Sequence, residues 1–219
     1  MLIIGHRGAR GLAPENTIAS LRKGLEHHVD MLEFDLRVTK DGVPVLHHDA
    51  DLTDGDGHKY PIAETSYDEL KRHKPDMATL EQVLKAIDKV PLYIEVKPDV
   101  AIQPIVRLLK DRRDVDRLFL ASKSQSTLML LHKALPEFPI IVIEPWSGVR
   151  AHRRAQQLGT KRVSMNQRWL WWGFIRGFKN NGWQLFAYTL NDVPKAKRWA
   201  KYGLAGVITD YPDQFESDP

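Results

Sequence analysis

Five residues able to ligate a metal or carry a proton fall within or at the end of short apolar runs. His6 follows Leu2–Gly5, Glu33 and Asp35 lie inside Met31–Leu36, His48 ends Val43–His48, and Glu95 lies inside Leu92–Val96. Glu33 and Asp35 are two apart, as are Glu95 and Lys97. In extended chain, residues two apart share a face, which leaves Leu32, Phe34 and Leu36, and likewise Ile94 and Val96, on the opposite one. Three carboxylates brought together repel one another and take up protons unless a cation holds them. Their oxygens suit one hard divalent cation, Mg2+ or Ca2+, with Mn2+ also accommodated. Arg7 offers a bidentate fork to a phosphate and Lys97 a point charge. Gly8 beside Arg7 lets backbone approach a ligand closely. Two histidines beside a bound phosphodiester supply a general base and a general acid. His47 and His48 are adjacent, so one of them faces such a site, and strand alternation alone does not choose between them.

Positioning these groups requires strands whose ends converge. Apolar, β-rich runs recur at Leu2–Gly5, Met31–Leu36, Leu92–Val96, Leu118–Ala121, Ile140–Ile143, Arg162–Met165, Gln184–Thr189 and Gly206–Thr209. Several are apolar nearly throughout, as expected of parallel strands buried on both faces. Helical spacing separates them: Ile18, Leu21, Leu25 and Val29; Leu80, Val83, Leu84 and Ile87; Ile102, Ile105, Val106 and Leu109; Val193, Ala196 and Ala200. Eight strands with intervening helices predict a (β/α)8 TIM-type barrel spanning residues 1–219 as one domain, with a doubly wound open sheet as the structural rival. In such a barrel the active site forms at the carboxyl ends of the strands. One connection is irregular. After the second strand comes the turn Lys40-Asp41-Gly42, the extended Val43–His48, and then an insertion of about residues 49–77 with a short helical stretch, Ser66–His73.

Composition narrows the chemistry. The chain of 219 residues has no cysteine, which excludes disulfides, cysteine zinc sites and a cysteine nucleophile. Residues 1–110 hold 15 Lys and Arg against 18 Asp and Glu, a net −3, and residues 111–219 hold 17 against 10, a net +7. The acidic half suits a metal site. The basic half raises a non-catalytic rival that binds nucleic acid or an anionic membrane through residues 150–201, but that rival has no use for the five residues above. No apolar run approaches the ~18 residues of a membrane span, and the three-residue run before His6 is far short of a signal peptide; the expectation is a cytoplasmic protein with no nucleic-acid partner. Asp49–Asp56 lacks the glycine that a calcium loop needs at its sixth position, where Asp54 stands, and reads as a solvated loop. The aromatic run 168–178 reads first as helix and loop packing. Its alternative is an exposed apolar patch beside the site, making transient contact with an acyl chain or membrane surface. Asn16 or Thr17 reads as a helix cap, and Glu15 as a partner for Arg7 or His6.

The elements His6-Arg7-Gly8, Pro14-Glu15-Asn16-Thr17, Glu33-x-Asp35, His48-Asp49, Glu95-x-Lys97, Thr189-x-Asn191 and Gly206–Pro212 occur in one order across nearly the whole chain. Together they resemble the glycerophosphodiester phosphodiesterase family. The resemblance implies a (β/α)8 barrel with a small insertion after the second strand, metal ligation by Glu33, Asp35 and Glu95, and His6 with His48 as the acid–base pair. It also selects His48, next to Asp49, over His47. The implied substrate is a small glycerophosphodiester cleaved to an alcohol and sn-glycerol 3-phosphate. The alternative is a lysophospholipase D-type reaction on acylated lipids. Asp49 and Asn191 are the expected supporting residues. Lys123 departs from the pattern, standing where an aromatic residue is usual, and Tyr188 replaces a common tryptophan while keeping an aromatic wall for the substrate. The Asp51–Lys59 loop is compressed. These departures bear on substrate choice more than on the reaction.

Overall fold

The apolar runs pair side by side in parallel and close on themselves. The structure, a computed structural model, describes residues 1–215. In chain order the elements are β1 (Leu2–Gly5), α1 (Ile18–Glu26), β2 (Met31–Val38), β3 (Pro44–Leu46), β4 (Asp51–Thr53), β5 (Lys59–Pro61), α2 (Tyr67–His73), α3 (Leu80–Ala86), β6 (Leu92–Val96) and α4 (Gln103–Leu109). There follow β7 (Leu118–Ser122), α5 (Gln125–Ala134), β8 (Ile140–Ile143), α6 (Gly148–Gln157), β9 (Arg162–Asn166), α7 (Trp172–Asn180), β10 (Gln184–Tyr188), α8 (Val193–Ala200) and β11 (Gly206–Thr209). Strands β1, β2 and β6 to β11 form an eight-stranded parallel barrel, closed where β1 pairs with both β2 and β11. The open-sheet rival is excluded by that closure. No helix among the described residues is long and apolar enough to cross a membrane.

Strand alternation sorts side chains between two cores. Leu32, Phe34, Leu36, Ile94 and Val96 point outward into the layer shared with the helices. Ile4, Met31, Tyr93, Ala121, Ile141, Ile143, Phe186 and Ile208 fill the barrel interior. Met31 has the same parity as Glu33 and Asp35, and Tyr93 the same as Glu95 and Lys97. The interior therefore runs from apolar packing up to a charged layer at the carboxyl ends of the strands.

Helix starts are fixed by side-chain caps. Thr17 accepts from the Ser20 N–H at 3.0 Å, and Thr79 forms a reciprocal capping box with Gln82. The helical spacing Ile18 to Val29 overshoots: α1 ends at Glu26, and His28 turns the chain with a left-handed φ of 51°. Val29 is buried all the same, reaching the core from the turn rather than from the helix.

The connection after β2 is more structured than a solvated loop. Within the extended Val43–His48 only Pro44–Leu46 pairs, antiparallel to β2. Strands β4 and β5 form an antiparallel ribbon across the Asp-rich stretch. Val45, Leu52, Ile62, Leu70 and Met77 make a small core of their own. Leu52 and Tyr60 supply the apolar faces that a reading focused on the aspartates overlooks.

Candidate active site

The β1–α1 loop is held down over the charged layer. Arg7 has φ 50° and Asn16 φ 57°, both left-handed and costly for residues bearing a Cβ. Backbone bonds fix them: the Gly8 N–H donates to the Glu33 carbonyl at 3.0 Å, and the Asn16 N–H to the Arg7 carbonyl at 3.1 Å. Gly8 itself sits at φ 89°, and a Cβ there would collide with the Ser20 backbone. The loop thereby brings Arg7 and Asn16 onto the carboxylates of β2.

Glu33, Asp35 and Glu95 are buried, with ligand oxygens all within 4.8 Å of one another. Lys97 Nζ donates to Asp35 Oδ1 at 2.5 Å and to Glu95 Oε1 at 2.8 Å. Asn16 Nδ2 donates to Asp35 Oδ2 at 2.9 Å, and the Asp35 N–H returns a bond to Asn16 Oδ1 at 3.1 Å. Burial alone would raise the Asp35 carboxyl, but Lys97 and Arg7 outweigh it and hold it well below the usual carboxylate range. Burial opposes the charge on Lys97 too, yet Asp35 and Glu95 keep its ammonium above the ordinary lysine range. Glu33 differs. It accepts the Arg7 backbone N–H at 2.8 Å, and the His6 ring nitrogen Nε2 stands 4.0 Å away. Burial, with Asp35 and Glu95 beside it, pushes its carboxyl well above the normal range. Such a buried, underpaired carboxylate in an all-oxygen donor set fits a hard divalent cation.

Each histidine is oriented by a carboxylate. His6 Nδ1 lies 2.6 Å from Asp210 Oδ1, and His48 Nδ1 lies 2.7 Å from Asp49 Oδ1. Asp210 also accepts from Asn191 Nδ2 at 3.0 Å, while Asn191 Oδ1 accepts from Thr209 Oγ1 and from the Asp210 N–H. Burial works to raise the Asp210 carboxyl, but the bonds from His6 and Asn191 hold it below the usual range. An ionised carboxylate only accepts, so in neutral His6 the proton sits on Nδ1 and Nε2 is left for chemistry. Burial, Lys97 and Arg7 lower His48, which the nearby Asp35 charge and its bond to Asp49 only partly offset. His47 is turned away, with Nε2 3.1 Å from the Asp51 carbonyl.

His6, Arg7, Glu33, Asp35, His48, Glu95 and Tyr188 line one cavity of about 470 Å³ at the carboxyl end of the barrel. Lys97 is buried against Asp35 and Glu95. Glu15 accepts from Arg7 NH1 at 2.6 Å, so its partner is Arg7 rather than His6. Thr17 takes the cap, and Asn16 turns instead to Asp35. Among the buried polar groups at the cavity that lack hydrogen-bond partners are Arg7 Nε and the Tyr188 hydroxyl. Arg7 Nε lies 3.2 Å from Asp35 Oδ2 but is misdirected for a bond. Arg10, Lys123 and Arg168 also line the cavity, and Lys123 Nζ stands 3.6 Å from Glu95. Arg10 and Arg168 have no expected role in the sequence, Lys123 figures there only as a departure bearing on substrate choice, and Asp210 only as part of the closing Gly206–Pro212 element. Asp210 does end the last barrel strand, and barrel closure would have set it beside His6. A second group of metal-capable side chains, Asp54, Asp56 and His58, lies in the β4–β5 turn. There Asp54 accepts from the Asp56 and His58 N–H groups and the Tyr60 hydroxyl, which fixes the turn.

The Glycerophosphoryl diester phosphodiesterase family is matched over residues 6–214. The chain belongs to this family. As a member it is a phosphoric diester hydrolase. YhdW of Bacillus subtilis (strain 168), named as a glycerophosphodiester phosphodiesterase, is 30% identical over 240 residues, covering 97% of this chain and 96% of that protein. The glycerophosphodiester phosphodiesterase of Caldanaerobacter subterraneus is 27% identical over 239 residues, covering 97% and 95%. Among solved structures, an Oleispira antarctica phosphodiesterase in complex with the product sn-glycerol-3-phosphate superposes with a TM-score of 0.88 at 26% identity, covering 98% of this chain and 94% of that one.

Proposed function

We propose that the chain hydrolyses small glycerophosphodiesters to an alcohol and sn-glycerol 3-phosphate, with Glu33, Asp35 and Glu95 holding one divalent cation. The observation that carries this reading is the convergence of three buried carboxylates and two carboxylate-bound histidines on one cavity. The product found in the Oleispira antarctica relative supports this substrate class. A cation at this site would polarise the phosphorus centre and stabilise charge on the phosphoryl oxygens. Mg2+, Ca2+ and Mn2+ all fit the oxygen donors.

The protein's own groups do the rest. Arg7, clamped by Glu15 and with a free Nε–H, binds a phosphoryl oxygen, and Lys97, held by Asp35 and Glu95, adds positive charge. His6 and His48 move protons at Nε2 to and from the attacking and leaving oxygens, while Asp210 and Asp49 fix their rings. The aromatic ring of Tyr188 forms a wall and its unpaired hydroxyl offers a bond to the glycerol or headgroup.

The deciding assay measures sn-glycerol 3-phosphate release from choline, ethanolamine and inositol glycerophosphodiesters with Mg2+, Ca2+ or Mn2+ supplied. Turnover abolished by chelator and restored by metal is expected, with His6→Ala and His48→Ala each slower by about 10²–10⁴-fold. No release with any of the three metals, or near-native rates in either histidine variant, overturns the reading.

A further inference from the structure

The tryptophans of the 168–178 run are not core residues. Trp169, Trp171 and Trp172 are 56%, 57% and 56% exposed, and only Leu170 and Ile175 of that stretch are buried. Trp146 and Val149, in the segment after β8, are 60% and 83% exposed. The two segments meet, because Gly148 packs so tightly on the Phe174 ring that a Cβ could not fit between them. Trp171 and Trp172 stand edge to face, with centroids 5.9 Å apart. Both segments follow carboxyl ends of barrel strands. Gln167 and Arg168, which immediately precede Trp169, line the cavity. An exposed aromatic cluster therefore flanks the cavity mouth.

Its charge is one-sided. In the segments that leave the carboxyl ends of β8 and β9, residues 145–153 and 167–176, the exposed charged side chains are Arg150, Arg153, Arg168 and Arg176, with no Asp or Glu among them. Glu144 is fully buried, bound by Arg150 at 3.1 Å and Arg154 at 3.2 Å. Tryptophan favours the boundary between water and lipid, and nearby Arg and Lys are drawn to anionic headgroups while their stems lie along apolar surface. A second copy of the chain would set basic face against basic face, which repels.

We propose that this patch docks the enzyme on an anionic lipid surface, turning the cavity mouth toward it. Docking is read without turnover, so it stands or falls apart from the hydrolase reading.

The full chain is floated with vesicles of phosphatidylcholine and phosphatidylglycerol in equal parts, and with vesicles of phosphatidylcholine alone. Binding to the mixed vesicles that weakens as salt rises is expected, and binding to phosphatidylcholine at least about tenfold weaker. The pair Trp171→Ala and Trp172→Ala should lose most of the binding while leaving hydrolysis of a dissolved diester unchanged. Arg168→Glu should weaken binding by more than about fivefold. In the unaltered chain, tryptophan emission should shift to the blue on adding mixed vesicles, a readout that depends on no variant folding. Absence of binding and of that shift overturns the proposal. So does binding that survives the tryptophan pair, or a dimer in sedimentation equilibrium that the same pair abolishes.

Discussion

Replacing Asp210 with Asn tests whether His6 acts at Nε2 because its other nitrogen is held. The native pair is short, 2.6 Å, and both side chains are largely shielded, at 14% and 19% exposure. The carboxylate only accepts, so it fixes both the ring plane and the proton on Nδ1. An amide can turn its NH2 toward Nδ1, which moves the ring proton to Nε2 and blocks proton uptake there. In serine hydrolase triads the same change to the histidine-orienting Asp costs about 10⁴-fold. A general acid–base group contributes about 10²–10⁴-fold in all. Asp210→Asn should therefore lose about 10²–10⁴-fold in kcat/KM, equivalent to about 3–5 kcal/mol of barrier. The cost to folding is one charge-assisted hydrogen bond, about 2 kcal/mol, or a Tm lower by about 4–8 °C for a domain of this size. Release of sn-glycerol 3-phosphate gives the rate, and thermal melts give the stability. The cycle with His6→Ala is decisive: residues acting as a unit are not additive, so the double variant should be no slower than His6→Ala alone. Losses that multiply would place Asp210 in a separate role, and an Asp210→Asn enzyme within threefold of the native rate would refute the reasoning outright.

Glu33→Gln removes the buried carboxyl that has least compensation for its charge. In chelator it should melt at or above the native temperature; with metal at about 100 times its Kd, the native protein should gain about 2.7 kcal/mol and the variant far less. Equal metal-induced shifts in the two proteins would remove Glu33 from the ligand set. Gly8→Ala forces a Cβ into a left-handed backbone and into the Ser20 backbone. It should cost at least about 2 kcal/mol and also lower activity by displacing Arg7, as calorimetry and turnover together would show. A variant as stable and active as the native protein would mean that the loop has slack the structure does not display.

Strand parity was enough to select the charged groups of the barrel interior, because every barrel strand has one inward face. Glu33 and Asp35 share theirs with Met31, and Glu95 and Lys97 share theirs with Tyr93, so two short alternating runs define a floor and the charged layer above it. Parity says nothing about His47 and His48, since β3 stops at Leu46 and the chain is no longer a strand where the choice arises. Nor does local pattern disclose the partner of His6. Asp210 is 204 residues away and arrives only when β11 pairs with β1 and the barrel closes. Asn16 hides for a different reason: its cap-like setting is real for Thr17, but a positive φ swings the Asn16 side chain from the helix to Asp35. The tryptophan run misleads because aromatic residues at helical spacing imply a buried face. Here three of them precede or open α7 at the barrel rim, with no further layer to cover them. The division follows function. Groups proposed to hold the cation lie on single strands, where the chain's own period displays them. Of the groups that orient the histidines and the arginine proposed to bind phosphate, Glu15 and Asp49 are near neighbours in the chain, whereas Asp210 reaches His6 only when the first and last strands meet.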